Sequence, residues 1–216
     1  MTDYNEAYRR TRAFFGDAPD AVLGEFITIL DPALPVLDVG CGQGRNALFL
    51  ARQGFSVAAI DPSPVAVEQV DRTASDQGLD VRVQVGGFGE VDLRSVEFGA
   101  VMVFGLIPDL PGGETRPLIE WARSRVAPHG TLWLTGFTTE DPACQHHRDT
   151  WRRLSHNSYI GPDGTVRTYL ERDEILALVP DHEVVHHWEG LGPEHRHGDG
   201  PTERHGRFEA IFRVPR

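Results

Sequence analysis

Three glycines spaced two residues apart, Gly40, Gly42 and Gly44, lie between two carboxylates, Asp38 and Asp61. That arrangement is a ligand cradle. Glycine lets bare backbone approach a bound molecule, and Arg45 and Asn46 then open a helix whose N-terminal amides point at the same spot. Val36, Leu37 and Val39 form a short apolar run, interrupted by Asp38, that suits a buried strand. Residues 55–60 form a second such run, which ends in Asp61 and Pro62. If the two strands pair in parallel, Asp61 comes to rest beside the glycine turn, where an acid binds both hydroxyls of a ribose. The spacing therefore predicts a nucleoside site.

The kind of nucleoside follows from the same residues. A dinucleotide fingerprint reads G-x-G-x-x-G, with its third glycine placed for close helix–strand packing. Here Arg45 follows Gly44, and no glycine stands at that third position. Asp38 sets an anion where a pyrophosphate would be repelled and an α-amino group welcomed. The pattern favours S-adenosylmethionine (SAM), which carries a ribose and an amino-acid tail and no phosphate. An oxidoreductase holding NAD in the same cradle is the competing reading.

Composition limits the rest. A chain of 216 residues with 40% hydrophobic residues can bury a substantial core in one domain. Its formal net charge of −11 opposes nonspecific attraction to nucleic acid or an anionic membrane. No lysine is present, which excludes a lysine base or Schiff base, and two cysteines are too few for a disulfide framework. No leader or long apolar span is apparent, so a cytoplasmic protein, monomer or homodimer, is expected, with a small-molecule partner and neither nucleic acid nor membrane.

Residues 1–18 are polar with scattered aromatics and read as a flexible lead or a helical flap over the cofactor. Residues 20–30 have helical spacing. After the cradle, a helix runs to about Gln77 and is closed by Gly78. Residues 81–85 form a third strand, followed by Gly87 and Phe88, which are expected to meet the ligand's base. Residues 100–104 form a fourth strand, and Phe104, Gly105 and the loop after them lie at the edge where open α/β sheets bind ligands. Residues 114–126 read as a helix, 127–130 as a turn and 131–136 as a fifth strand. The alternation then breaks down over 137–170, a polar stretch expected to add a cap. Helix 171–178 and strands 183–189 and 208–214 complete the chain, the last two as an antiparallel hairpin.

The segment Val36-Leu-Asp-Val-Gly-Cys-Gly-Gln-Gly44 resembles the first motif of the class I SAM-dependent methyltransferases. Gly42-Gln-Gly-Arg-Asn46, residues 138–144 and the Gly-Pro-Glu-His-Arg run ending at Arg196 are similar to segments of the TehB-like tellurite-resistance methyltransferases. The resemblance implies a Rossmann-like α/β fold: a mostly parallel seven-stranded sheet with helices on both faces and an antiparallel C-terminal hairpin. It also implies SAM as co-substrate and methylation of a chalcogen nucleophile, such as a thiol or a selenium or tellurium oxyanion. In the family an acid after the third strand commonly bonds the adenine amino group, and Gly87 stands there instead. An O- or N-methyltransferase of a secondary metabolite is a further reading, as is a non-catalytic protein that binds SAM or metal.

A general base is needed only where the nucleophile arrives protonated. His195 is the candidate, since imidazole titrates near neutrality, with Arg196 to hold an anionic acceptor. No metal site is expected. His186 and His187 are adjacent on a strand and point to opposite faces, and His195, His197 and His205 lack a cysteine or acid at the usual zinc spacing.

Overall fold

A computed structural model describes residues 4–93, 96–196, 198 and 200–215. In chain order the elements are α1 (Tyr4–Arg10), α2 (Ala21–Phe26), β1 (Val36–Val39), α3 (Arg45–Arg52), β2 (Val57–Asp61), α4 (Pro64–Gln77), β3 (Val81–Val85) and β4 (Phe98–Phe104). There follow α5 (Gly112–Arg123), β5 (Val126–Thr138), α6 (Cys144–Thr150), β6 (Arg152–Ser155), β7 (Ser158–Ile160) and β8 (Val166–Leu170). The chain ends with α7 (Glu174–Leu178), β9 (Glu183–Leu191), β10 (His195–Arg196), β11 (Thr202–Glu203) and β12 (Gly206–Arg213).

The central sheet runs β3-β2-β1-β4-β5, all parallel; β12 then joins β5 antiparallel, and β9 joins β12 antiparallel. These seven strands are the mostly parallel sheet with a late antiparallel hairpin that the resemblance implies. The structure adds to it. An antiparallel meander, β6-β7-β8, attaches through β8 to the last residues of β5, so residues 137–170 are ordered strands and a helix as well as a polar stretch. The N-terminal residues form a helix that packs on α4.

Alternate side chains of the central strands serve opposite faces. Leu37, Val39, Val101 and Val103 pack with Leu118, Ile119 and Ala122 of α5, while Val36, Ala100 and Met102 pack with Ala47, Leu50 and Ala51 of α3. Every residue of β4 is buried, which accounts for its unbroken apolar run.

Several boundaries differ from the expected ones: the helix expected over 171–178 begins at Glu174, and the strand expected at 100–104 begins at Phe98. Helix 20–30 shortens to α2 and continues as a 3-10 turn at Ile27–Ile29. The helix expected over 114–126 starts earlier, at Gly112, and stops at Arg123. The turn expected at 127–130 lies inside β5 as an irregularity, where pairing jumps from Phe98↔Val126 to Ala100↔Thr131 and His129 takes φ 65°.

β1 is flanked by β2 on one side and β4 on the other, the point where strand order reverses and a crevice opens at the carboxyl ends. The candidate site lies there.

Candidate functional site

The register Val39↔Ile60 places Asp61 one residue beyond β1, beside the glycine turn. Backbone bonds from the Gly40 and Cys41 N–H groups to the Ile60 carbonyl, at 2.8 and 3.1 Å, fix the turn there. Each of the three glycines has a left-handed φ and a separate job. A Cβ on Gly40 would lie 3.2 Å from Leu106, one on Gly42 would lie 3.1 Å from the Tyr8 hydroxyl, and one on Gly44 would lie 2.6 Å from Val70 of α4. Gly44 therefore supplies the close element packing that a dinucleotide fingerprint assigns to a later glycine.

Asp61 is anchored at two points. One carboxylate oxygen accepts from the Gly42 N–H and the other from the Ser63 N–H, both at 2.8 Å. Each oxygen keeps a further lone pair, and Asp61 lines a cavity of about 1590 Å³. Burial pushes its carboxyl upward, against the pull of those two amides.

Asp38 is placed differently from the expectation. It is 2% exposed and lies behind the glycine turn, and it is not among the residues that line the cavity. Its Oδ2 has no hydrogen-bond partner among the described residues, while the Ala47 N–H of α3 donates to the carboxylate. Burial, reinforced by the nearby Asp20 and Asp61, pushes its carboxyl up to about 7, and Arg45 and the Ala47 amide oppose the shift. A buried carboxylate with an orphan oxygen is costly unless a cation neutralises it. Its reach to a ligand would be through the thin wall of the turn.

Arg45 and Asn46 line the cavity, yet their side chains also serve Asp20. Arg45 pairs with the Asp20 carboxylate at 2.6 Å, Asn46 Oδ1 accepts from the Asp20 N–H at 2.9 Å, and Asn46 Nδ2 donates back at 3.2 Å. These bonds tie the start of α2 to the start of α3. Gly40, Gly42, Pro62, Gly87, Phe88, Phe104 and Gly105 all line the cavity; Gly44 does not, being turned toward Val70.

Two groups of lining residues were not assigned to the site by sequence. Glu90 stands three residues beyond Gly87, accepts from the Gly87 N–H at 2.7 Å and lines the cavity, so an acid does serve the end of β3. The only signal was the glycine-rich turn 86–89, which folds back to bring the later acid to the same spot. The second group is the N-terminal arm, for which a flexible lead and a flap both stand open in sequence and which the structure gives as a helix beside the cavity. Tyr4, Tyr8 and Phe15 line the cavity, and Tyr4 and Tyr8 stack at 5.7 Å.

His195 and Arg196 do not meet the cavity as expected. They form β10, which pairs with β11 in a small separate hairpin, and neither lines the cavity. His195 lies against His205 at 5.1 Å, and Arg196 donates to Thr202 Oγ1 at 2.9 Å. His205 instead pairs with the buried Asp141 at 2.8 Å, with its ring stacked on Phe137. His197 lies outside the described residues. His187 turns to Glu189 and Asp173, and His186 to Glu209, in keeping with their opposite faces. The Asp173, His187 and Glu189 ligand atoms lie within 4.8 Å of one another.

A crevice with an anchored acid at the end of β2, a bare-backbone turn and a second buried acid fits a ligand that carries hydroxyls and a cation. Among the lining residues it presents no glycine-lined helix start free of acids, which a pyrophosphate would need. No helix among the described residues is long and apolar enough to cross a membrane.

Comparison with known proteins agrees. Residues 36–130 match the family described as Methyltransferase domain. Hemagglutinin 1 of Eikenella corrodens is 31% identical over 140 residues, covering 58% of this chain and 46% of that protein. The probable S-adenosyl-L-methionine-dependent methyltransferase TehB of Haemophilus influenzae is 34% identical over 79 residues, 37% of this chain and 26% of that one. The crystal structure of TehB from Haemophilus influenzae superposes with a TM-score of 0.71 at 15% identity, over 98% of this chain and 65% of that chain. A SAM-dependent methyltransferase from Methanosarcina mazei superposes with a TM-score of 0.73 at 19% identity, over 92% and 99% of the two chains. The chain spans less than half the length of either curated relative.

Proposed function

We propose that this chain, whose residues 36–130 match the methyltransferase domain family and which has TehB of Haemophilus influenzae among its relatives, transfers a methyl group from SAM to a small-molecule nucleophile. The observation that carries the reading is the glycine turn bonded to Asp61 on the cavity side, with Asp38 buried behind it. When bound, SAM supplies a methyl group on an electron-poor sulfonium, ready for in-line displacement.

The chain's own residues bind, orient and exclude water. Asp61, held by the Gly42 and Ser63 amides, would grip the ribose hydroxyls. Asp38 would offset the charge of the amino-acid end from behind the turn. Glu90, with Gly87 and Phe88, would meet the base. Phe104, Gly105, Leu106 and Leu110 on one side and Tyr4 and Phe15 on the other wall the acceptor end with largely apolar surface. Holding a nucleophile in line in a space emptied of water supplies much of the acceleration such a transfer needs.

A thiol or another soft chalcogen is the acceptor that the TehB likeness suggests. A second reading, a neutral or cationic amine, is favoured by one feature: Glu114 lines the cavity, while Arg196, the expected holder of an oxyanion, lies on its own hairpin. A cytoplasmic enzyme is consistent with both. Incubation with methyl-labelled SAM and a panel of thiols, selenite, tellurite, amines and phenols tests them. Label in a volatile or extractable product is the expected result, and its class selects between the readings. Tight SAM binding with no transfer to any acceptor would make the chain a binding protein.

A further inference from the structure

The N-terminal arm crosses the cavity and is fastened on both sides of it. On the near side, Ser63 Oγ donates to Asn5 Oδ1 at 2.7 Å, Gln69 Nε2 to the Tyr8 carbonyl at 2.9 Å and Gln43 Nε2 to the Thr11 carbonyl at 2.8 Å. The Phe14 N–H returns a bond to Gln43 Oε1 at 2.7 Å. All three anchoring residues belong to the glycine turn or to the start and body of α4. On the far side, beyond the end of β4, the Tyr4 hydroxyl donates to Asp109 Oδ2 at 2.6 Å. Arg167, from β8 of the meander, grips the other oxygen of the same carboxylate at 2.6 Å. One carboxylate thus joins three segments that lie far apart in sequence.

Tyr4, Tyr8 and Phe15 form a wall of the same cavity that Asp61, Gly42 and Gly105 line from below. A ligand seated on the glycine turn lies under the arm, because the Tyr8 hydroxyl stands 3.1 Å from where a Gly42 Cβ would be. We propose that Tyr4, Asp109 and Arg167 are a clasp that holds the arm shut over the cavity and sets how fast SAM and its demethylated product leave. The choice of SAM as occupant rests on the function proposed above; the clasp itself rests on the bonds.

Tyr4 is a positioning residue here, since its hydroxyl is engaged by the clasp. The test is release of radiolabelled SAM, and separately of S-adenosylhomocysteine, chased with unlabelled compound from the wild type, Tyr4→Phe and Arg167→Gln. A hydrogen bond to a charged partner is strong enough that its loss should speed release by about 10- to 100-fold in Tyr4→Phe. Arg167→Gln should speed release in the same direction. Hydrogen exchange at the α1 amides should rise in Tyr4→Phe with far-ultraviolet circular dichroism unchanged. Release within twofold of wild type in both variants, with the α1 amides equally protected, would overturn the clasp. Should the chain bind no SAM, the functional reading fails, and exchange alone decides: α1 protected in the wild type and exposed in Tyr4→Phe supports the clasp. An α1 that is unprotected in the wild type refutes it.

Discussion

Asp38 is where binding and stability pull in opposite directions. Its carboxyl lies behind the glycine turn with one oxygen unpartnered, and burial and neighbouring acids push it up to about 7. An unfolded aspartate titrates near 4, so between those values the folded chain holds the extra proton. The contribution is fully present below about pH 4 and is lost as pH rises through about 7. At 1.36 kcal/mol per pH decade, the loss from this one group is about 4 kcal/mol. Asp38→Asn keeps an oxygen for the Ala47 amide and removes the charge. From pH 5 to 8 the ligand-free wild type should therefore lose about 3 kcal/mol more unfolding free energy than the variant. Asp61 and Asp109 are raised as well, but they remain in both proteins and cancel in the difference. At pH 8 the variant should melt several degrees higher, at about 2–4 °C per kcal/mol for a chain of this size. Its affinity for SAM should fall at least tenfold, because the buried charge that offsets the cation is gone. Urea unfolding at both pH values, with calorimetric titration of SAM, reads both effects. Equal pH dependence in the two proteins, or undiminished SAM affinity in the variant, would refute this account of the residue.

Three other outcomes are expected. Gly44→Ala should destabilise by about 2–4 kcal/mol, since a left-handed φ of 82° and a Cβ 2.6 Å from Val70 add strain to overlap. Gly54→Ala, with φ 91° and open space around it, should cost only about 1–2 kcal/mol, and urea unfolding compares the two. Glu90→Ala should weaken SAM binding by about tenfold through loss of a polar contact at the base end, with thermal stability nearly unchanged, as calorimetry and melting would report. His195→Ala should leave SAM affinity within about twofold, because the β10–β11 hairpin stands off the cavity; a larger loss in a titration would place the imidazole at the ligand.

What the sequence disclosed was local. The Asp38-to-Asn46 run states its own conformation, because glycines at left-handed angles and a helix start are fixed by neighbouring residues. The same holds for α4, where Ser63 caps the first turn by accepting from the Ala66 N–H and Gly78 closes the last at φ 63°. Less was legible where distant contacts decide. The arm has no strong apolar stripe, and its helix is held by Gln43, Gln69, Ser63 and Asp109, residues 29 to 105 positions away from their partners. The β6–β7 turn depends on Asn157 at φ 51°, within a stretch too polar to read as strands. Glu90 was missed because the acid was sought immediately after β3, whereas a glycine turn carries the later residue back. His195 and Arg196 were placed at the site by resemblance, and the pairing of β10 with β11 is a tertiary outcome that residue types do not announce.

The central claim is that the turn between Asp38 and Asp61 holds the ribose and cationic tail of SAM. Calorimetric titration of the purified chain with SAM, S-adenosylhomocysteine and NAD tests it most directly, with Asp61→Asn run alongside. The account predicts saturable binding of the first two, at least tenfold weaker in the variant, and none of NAD. Tight binding of NAD with indifference to SAM, or SAM affinity untouched by the loss of the Asp61 charge, would contradict it.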